Sequence, residues 1–415
     1  MIRTHTLACH LPRSEADALN RESGRVYTDV LVWHYRVYRR TGHWLSQGAA
    51  EKLNDSLTPT TLHAHSRDAA QQAFYKACKT AKANRGDGAK YPHKRKFYRT
   101  TIWKATGIRA YDGRLLLARA RGLEPVAVAL PPDLAALPKG AFVEMRLVYD
   151  LVAEHHRWHL VVDDGAETPL RTEGQTLAAD LGETHPAAVA NEAGDVVIFT
   201  ARDLRALNQY RNKRLASLQT RQSRRTKQSR RWKRMQRRKT FLLARNNRQR
   251  RDIEHKVTRA IVQHATAEGA RILVVGDIRA IADGKRMQAK SQQKISGWSH
   301  GRQIAYLTYK LAAVGIAIAR QSEAYSSKTC PACGTRTEPK GRNYRCSNKR
   351  CGFVGHRDAV GAANLESKAL YGTFGRIQPI STKYRRAFQR RSSPDTGHVA
   401  REAHPADGSR EAAPR

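Results

Sequence analysis

Four cysteines crowd into 22 positions of a 415-residue chain, and nothing else in the sequence so narrows what it can fold into. They stand as Cys330-x2-Cys333 and Cys346-x4-Cys351, separated by twelve residues that include Gly334, Gly341 and Tyr344. Two close pairs on glycine-flanked turns (CPACG and CSNKRCG) can present four thiolates tetrahedrally to one Zn2+, as a zinc ribbon does. With all four ligands thiolate, the ion would be structural and not catalytic. Such local crowding is metal-site spacing and not a secreted disulfide framework. Cys9 and Cys78 stand alone and read as buried thiols.

Charge says what the rest of the chain meets. Lys plus Arg is 76 against 36 acidic residues, a formal +40. That excludes the ordinary metabolic enzyme for small neutral substrates and points to a polyanion, usually nucleic acid. Between Arg211 and Lys256 nineteen Lys/Arg stand against two acidic residues. Charges all round a helix repel one another unless a polyanion neutralises them. The candidate phosphate contacts are Arg224, Arg225, Arg230, Arg231, Lys233, Arg234, Arg237 and Arg238. A second cluster, KYPHKRKFYRTTIWK, interleaves Lys94, Arg95 and Lys96 with Tyr91, Phe97, Tyr98 and Trp103. Its aromatics serve either to stack on bases or to form the core of a β module. No run of about 18 apolar residues exists. The start MIRTHTLACHLPRSEAD has no apolar core after its charges, so a cytoplasmic protein with no membrane partner is expected.

Along the chain, THTLACHL reads as a short strand and residues 14–89 as helices, with Val26, Val30, Trp33 and Val37 near one face. GDGAKYPHKRKF breaks that pattern, and residues 97–165 read as a β module with an Asp-Gly turn and a second hairpin-like pair. From about Thr172, strand, short loop and strand are followed by long basic helices over 203–268. ARILVVGDI reads as a strand, HGRQIAYLTYKLAAVG as a helix, IAIARQSE as a strand and HRDAVGAANLESKALYG as a helical end. The last forty or so residues have the composition of a disordered tail.

A nuclease that cuts phosphodiesters with two divalent ions needs carboxylates converging from separate strands. Asp180 ends the apolar run TLAAD before Leu-Gly, and Asp358 stands where a helix should begin. Alone, the first reads as a turn former and the second as an N-cap. Together with the basic helices, ILVVGDI, AYSSKTCPACG, the second cysteine pair and HRDAVGAANL, in this order, they resemble the TnpB family of transposon-encoded RNA-guided nucleases and the related compact type V CRISPR effectors. The resemblance is dense from about 172 to 370 and elsewhere extends only to layout. It implies a multidomain α/β chain with an RNase-H-like (RuvC) nuclease domain at 172–326 and 353–371. Its long basic helices would span 203–268, and a zinc-ribbon target-nucleic-acid-binding module 327–352 would be inserted in it. A β-barrel-like wedge domain would occupy 1–13 and 90–171, a helical recognition insertion 14–89, and a disordered basic tail 372–415. It further implies two catalytic Mg2+, one structural Zn2+, a guide RNA and target double-stranded DNA; a homodimer stays open.

By resemblance the family's first and last catalytic aspartates map onto Asp180 and Asp358. The family's middle strand usually ends Val-Val-Glu-Asp, whereas this chain reads Val274-Val275-Gly276-Asp277. Three readings follow. Asp277 substitutes one place later, although alternation on a strand points it to the other face unless a bulge re-aims it. Alternatively, Glu323, at the end of IAIARQSE, donates the carboxylate from a neighbouring strand. Or the site is dead, leaving an RNA-guided DNA-binding protein that represses or targets without cutting. Relatives also commonly carry Asn where this chain has Val360, while Gly361, Ala362, Ala363 and Asn364 keep the motif. The reading taken forward is an RNA-guided DNA endonuclease that recognises a short flanking motif and cuts with Asp180, Glu323 and Asp358. A strand transposase and an unguided nucleic-acid binder are weaker alternatives.

Overall fold

The structure is a computed structural model that describes residues 2–277 and 288–387. Its contacts divide the chain into two compact units, Met1–Pro169 with Arg211–Arg248, and Leu170–Tyr210 with Gln249–Arg415.

In the first unit, β1 (Ile2–Ala8) is followed by three helices, α1 (Arg13–Thr41), α2 (Gln47–Leu57) and α3 (Ala64–Ala83). Then come β2 (Thr101–Lys104), β3 (Ile108–Tyr111), β4 (Arg114–Leu117), β5 (Val126–Ala129), the short α4 (Pro132–Ala135), β6 (Phe142–Asp150) and β7 (His155–Asp163). An antiparallel sheet in the order β1-β7-β6-β2 and a three-stranded sheet β3-β4-β5 share one core with α1, centred on Trp103, Met145, Leu147, Trp158 and Leu160. Asp112 and Gly113, both at positive φ, make the two-residue turn between β3 and β4, which follows the right-handed twist of the strands. The face α1 buries passes through Tyr27, Val30, Leu31 and His34, with Val26 in the neighbouring core. Trp33, expected on that face, is only half-buried and lies under the Arg36 guanidinium, 4.4 Å from its ring centre.

The second unit is built on a six-stranded mixed sheet in the order β12-β11-β8-β9-β10-β15. Its strands are β8 (Gln175–Asp180), β9 (Ala187–Asn191), β10 (Asp195–Thr200), β11 (Ala270–Asp277), β12 (Ala317–Ser322) and β15 (Ser381–Arg386). β8, β9 and β10 form an antiparallel meander, while β11 runs parallel to both β8 and β12. One face packs Leu177, Ala179, Leu273 and Val275 against the carboxyl-terminal part of α6 (Arg230–Ala267) and against α8 (His300–Ala312). The other face receives α9 (Arg357–Tyr371), whose Ala359, Ala362 and Leu365 lie on Ala188, Ala190, Ala178 and Val274. Small residues on α9 allow that close approach. α5 (Arg202–Ser223) precedes α6, α7 (Ala289–Gly297) precedes α8, and the short β13 (Asn343–Arg345) and β14 (Val354–His356) belong to the cysteine module.

The basic stretch read as long helices over 203–268 consists of two, broken at 224–229. The tail expected to be disordered from 372 is ordered in its first part. Ser381–Arg386 pairs in parallel with Asp195–Thr200, because the free edge of β10 offers a row of backbone partners. Its polar sequence STKYRR gives no apolar signal for a strand. Residues 388–415 lie outside the described residues. Among those described, no helix is long and apolar enough to cross a membrane.

Candidate active site and zinc module

Strand alternation decides which carboxylates can meet. On β8, Leu177 and Ala179 face α6 and α8, and Ala178 faces α9; Asp180 shares the face of Ala178. On β11, Val275 belongs to the α6/α8 face and Val274 to the α9 face. Gly276 therefore stands on the α9 side with Asp180, and Asp277 takes the opposite parity. The ladder pairs Val275 with Ala179 and Gly276 with Gln321, so Gly276 sits between Asp180 and the end of β12. Glu323 follows that end, two places past Gln321 and four past Ala319, which packs on the α9 side.

The glutamate fills the space that the glycine leaves. A Cβ placed on Gly276 would lie inside 3.0 Å of Glu323 Oε2, so the Glu323 carboxyl occupies the space where a side chain at 276 would begin. A glycine plays the same part under Asp180: a Cβ on Gly361 of α9 would collide with Asp180 Oδ2. Asp358 stands in the first turn of α9, where the helix dipole favours a carboxylate. It is not the cap, as the sequence suggested for such a position. His356 is the N-cap, its Nδ1 accepting from the Asp358 N–H at 3.2 Å, so the aspartate carboxyl is not used in capping.

The electrostatics describe one crowded acidic site. Burial, then Glu323 and Asp358, push the Asp180 carboxyl well above the usual range. Burial, then Asp277, push Glu323 up to about 7. Glu323 Oε2 is buried without a hydrogen-bond partner among the described residues. Carboxylates that raise one another's affinity for protons, with an orphaned oxygen among them, fit hard divalent cations such as Mg2+. Two cationic side chains stand close. Arg342 donates to both oxygens of Asp358 at 2.6 and 2.7 Å, and Arg357 lowers the proton affinity of Asp180. His185 Nδ1 lies 2.8 Å from Asp358 Oδ2.

The four cysteines converge as the spacing predicts. Cys330 and Cys351 Sγ are 3.7 Å apart, Cys333 and Cys346 Sγ 3.6 Å, and all four lie within 4.8 Å of one another. Tetrahedral thiolates at about 2.3 Å from zinc stand about 3.8 Å apart, so the donor set fits that ion. Turns at Cys330–Gly334 and Asn348–Cys351 and the β13–β14 hairpin hold the pairs. Val360 of α9 is fully buried against Cys330, Tyr344 and Cys346, which gives a packing reason for an apolar residue there. Asn364 Nδ2 donates to the carbonyls of Ser326 and Thr329 at 2.7 and 2.8 Å, tying α9 to the segment between Glu323 and Cys330.

The expected nucleic-acid contacts belong to the first unit. Arg224 and Arg225 lie in the break between α5 and α6, and Arg230, Arg231, Lys233, Arg234, Arg237 and Arg238 lie on α6. All are exposed, and none forms an ion pair among the described residues. Of the second cluster, Lys94, Arg95, Lys96 and Phe97 are exposed, and Lys96 lies 5.2 Å from the ring centre of Tyr27. Its aromatics divide between the two readings, with Trp103 in the core and Phe97 66% exposed. Sequence reasoning missed His185 and Arg342. A lone histidine in GETHP and an arginine in a basic chain give no spacing signal, and only the fold brings them to Asp358.

Comparison with known proteins agrees with this layout. Residues 159–282 match the family model described as OrfB_IS605, "Probable transposase", and residues 300–365 match the Cas12f1-like TNB domain. A TnpB-like protein of Methanocaldococcus jannaschii is 26% identical over 136 residues, 32% of this chain and 48% of that protein. The match thus spans about half the length of that relative. Among solved structures, a Cas12f1–guide RNA–target DNA complex aligns with TM-score 0.55 at 12% identity, over 84% of this chain and 81% of that one. CasPhi-2 (Cas12j) bound to CRISPR RNA aligns with TM-score 0.50 at 11% identity, over 91% and 99%. At such identities the likeness is one of fold, mixed α/β and multidomain. By sequence models, a curated relative and fold together, the chain resembles the TnpB proteins and the Cas12-type effectors.

Proposed function

We propose that this protein is an RNA-guided DNA endonuclease whose catalytic carboxylates are Asp180, Glu323 and Asp358. The observation that carries the reading is the Glu323 carboxyl lying over Gly276, on the sheet face it shares with Asp180 and beneath the helix that bears Asp358. In this reading the second unit is a RuvC-like, RNase-H-type domain, and its zinc ribbon at Cys330–Cys351 presents the target-binding segment. The first unit holds the wedge-like β domain and the helical recognition insertion. Asp180, Glu323 and Asp358 would hold two Mg2+, which when bound supply an activated water and neutralise charge at the leaving 3′ oxygen. Gly276 and Gly361 leave room for two of those carboxyl groups, and α9 fixes the third at its amino end. Guide RNA supplies sequence by pairing, and the exposed arginines of 224–238 contact phosphates, as Arg does bidentately. The structural relatives, one described as a complex with guide RNA and target DNA and one as bound to CRISPR RNA, support these partners for this chain.

The test is plasmid cleavage in Mg2+ by protein purified with its own RNA, comparing wild type with Asp180→Ala, Glu323→Gln and Asp277→Asn. The proposal expects cutting that is lost in the first two variants and kept in Asp277→Asn. Guide-dependent DNA binding without cutting by wild type would leave a programmable binder instead.

A further inference from the structure

Two histidines lie beside Asp358, and nothing in the nuclease reading uses them. His185 belongs to the β8–β9 connection. That loop doubles back tightly: a Cβ on Gly182 would collide with the His185 carbonyl, and Gln303 Nε2 holds the next carbonyl, that of Pro186, at 2.8 Å. His356 ends β14 and caps α9. The two rings lie 5.6 Å apart, each packed against Tyr384 of β15 at 6.1 and 5.9 Å. One ring nitrogen of each histidine and one oxygen of Asp358 lie within 4.8 Å of one another. Both His185 and Asp358 are mostly buried, with side chains 18% and 16% exposed.

We infer that His185, His356 and Asp358 form a site for a borderline first-row cation such as Zn2+. Two imidazoles and one carboxylate, with positions left open, are a donor set that suits zinc and its neighbours, whereas Mg2+ prefers oxygen alone. Nitrogen and oxygen ligands of a tetrahedral ion stand about 3.3 Å apart, from bonds of about 2.0 Å. Closing the widest pair therefore takes a contraction of at most about 1.5 Å, within reach of χ rotation in the two rings. Entry of the ion displaces the proton of the His185–Asp358 hydrogen bond. Arg342 is the built-in competitor, because its guanidinium already engages both oxygens of Asp358. The site shares Asp358 with the proposed nuclease centre, and only this consequence rests on that reading: an ion held by the histidines draws the carboxylate away and inhibits cutting.

The experiment is Zn2+ titration by calorimetry of full-length protein already carrying its ribbon zinc, in Mg2+-free buffer. Wild type should take one further equivalent. His185→Asn and His356→Asn should weaken that binding by at least about tenfold, as loss of a ligand exceeds the roughly 10–100-fold cost of an outer partner. Glu323→Gln should leave it unchanged, and Arg342→Gln should tighten it. Retention of one ribbon zinc per chain shows that each variant is folded. No further equivalent in wild type, or binding by folded histidine variants equal to wild type, overturns the site. The titration decides this whether or not the protein cuts DNA. Where cutting is measured, Zn2+ at a filling concentration should inhibit wild type and spare His185→Asn; equal inhibition of both would refute the shared-carboxylate consequence.

Discussion

Replacing Glu323 by Gln should make the magnesium-free protein more stable at pH 8, and the size of the gain follows from the site. Burial and Asp277 raise the Glu323 carboxyl from 4.5 to about 7. A group whose folded value is raised lends stability that is whole below its unfolded value and is lost as pH climbs through the folded one. The window is therefore about pH 4.5 to 7, and at about 1.4 kcal/mol per pH unit the loss is bounded at about 3–4 kcal/mol. Partial solvent access to the side chain lowers that to roughly 2 kcal/mol. Glutamine fills the same space and does not titrate. The variant should match wild type near pH 4.5 and exceed it by roughly 2 kcal/mol at pH 8, a shift of about 4–8 °C for a unit of this size. Relief of Asp180, which Glu323 also raises, acts in the same direction. Calorimetric melts from pH 4.5 to 8 without Mg2+, with ribbon zinc retained, read the difference. Added Mg2+ should then stabilise wild type more than the variant at pH 8. A stability difference that is flat in pH, or Mg2+ stabilisation equal in both proteins, would refute the reasoning.

Three further outcomes are expected. Glu366, fully buried in α9 with neither carboxyl oxygen partnered among the described residues, is raised to about 8 by burial and by Glu192, so Glu366→Gln should gain stability over wild type as pH rises from 4.5 through 8, read by the same melts. Replacing Arg234, Arg237 and Arg238 together by Ala should weaken RNA binding and flatten the plot of log affinity against log salt by about 2, at roughly 0.7 per lost single-strand phosphate contact. Cys346→Ser should abolish stoichiometric zinc, and hydrogen exchange should then show opening of residues 328–356, because Tyr344 and Cys330 are buried around the thiolates.

Much of the second unit was legible because its signals are local. TLAAD, ARILVVGD and AIARQS are apolar or alternating runs that became β8, β11 and β12. Alternation alone predicted that Asp277 would face away from Asp180, and the structure gives it that parity while putting Glu323 beside Gly276. The rest needed tertiary information. β15 is a polar strand whose reason to exist is the edge of β10, nearly two hundred residues earlier in the chain. Trp33 and Trp103 look alike in sequence, yet one lies under an arginine and the other in a core, as neighbours from other strands decide. His185 and His356 are 171 positions apart and share no pattern, so their meeting at Asp358 belongs to the fold.

The central claim is that Glu323 does the work of a carboxylate absent from 276, and a transplant tests it most directly. Cleavage in Mg2+ with the protein's own RNA should be compared for wild type, Glu323→Gly, Gly276→Glu, and the double variant carrying both changes. Because a side chain at 276 and the Glu323 carboxyl claim the same space, each single variant should fall by about 100-fold or more, beyond what outer-shell partners cost. The double variant should recover most of the activity. Full cutting by folded Glu323→Gly, or a double variant no better than that single one, would contradict the account.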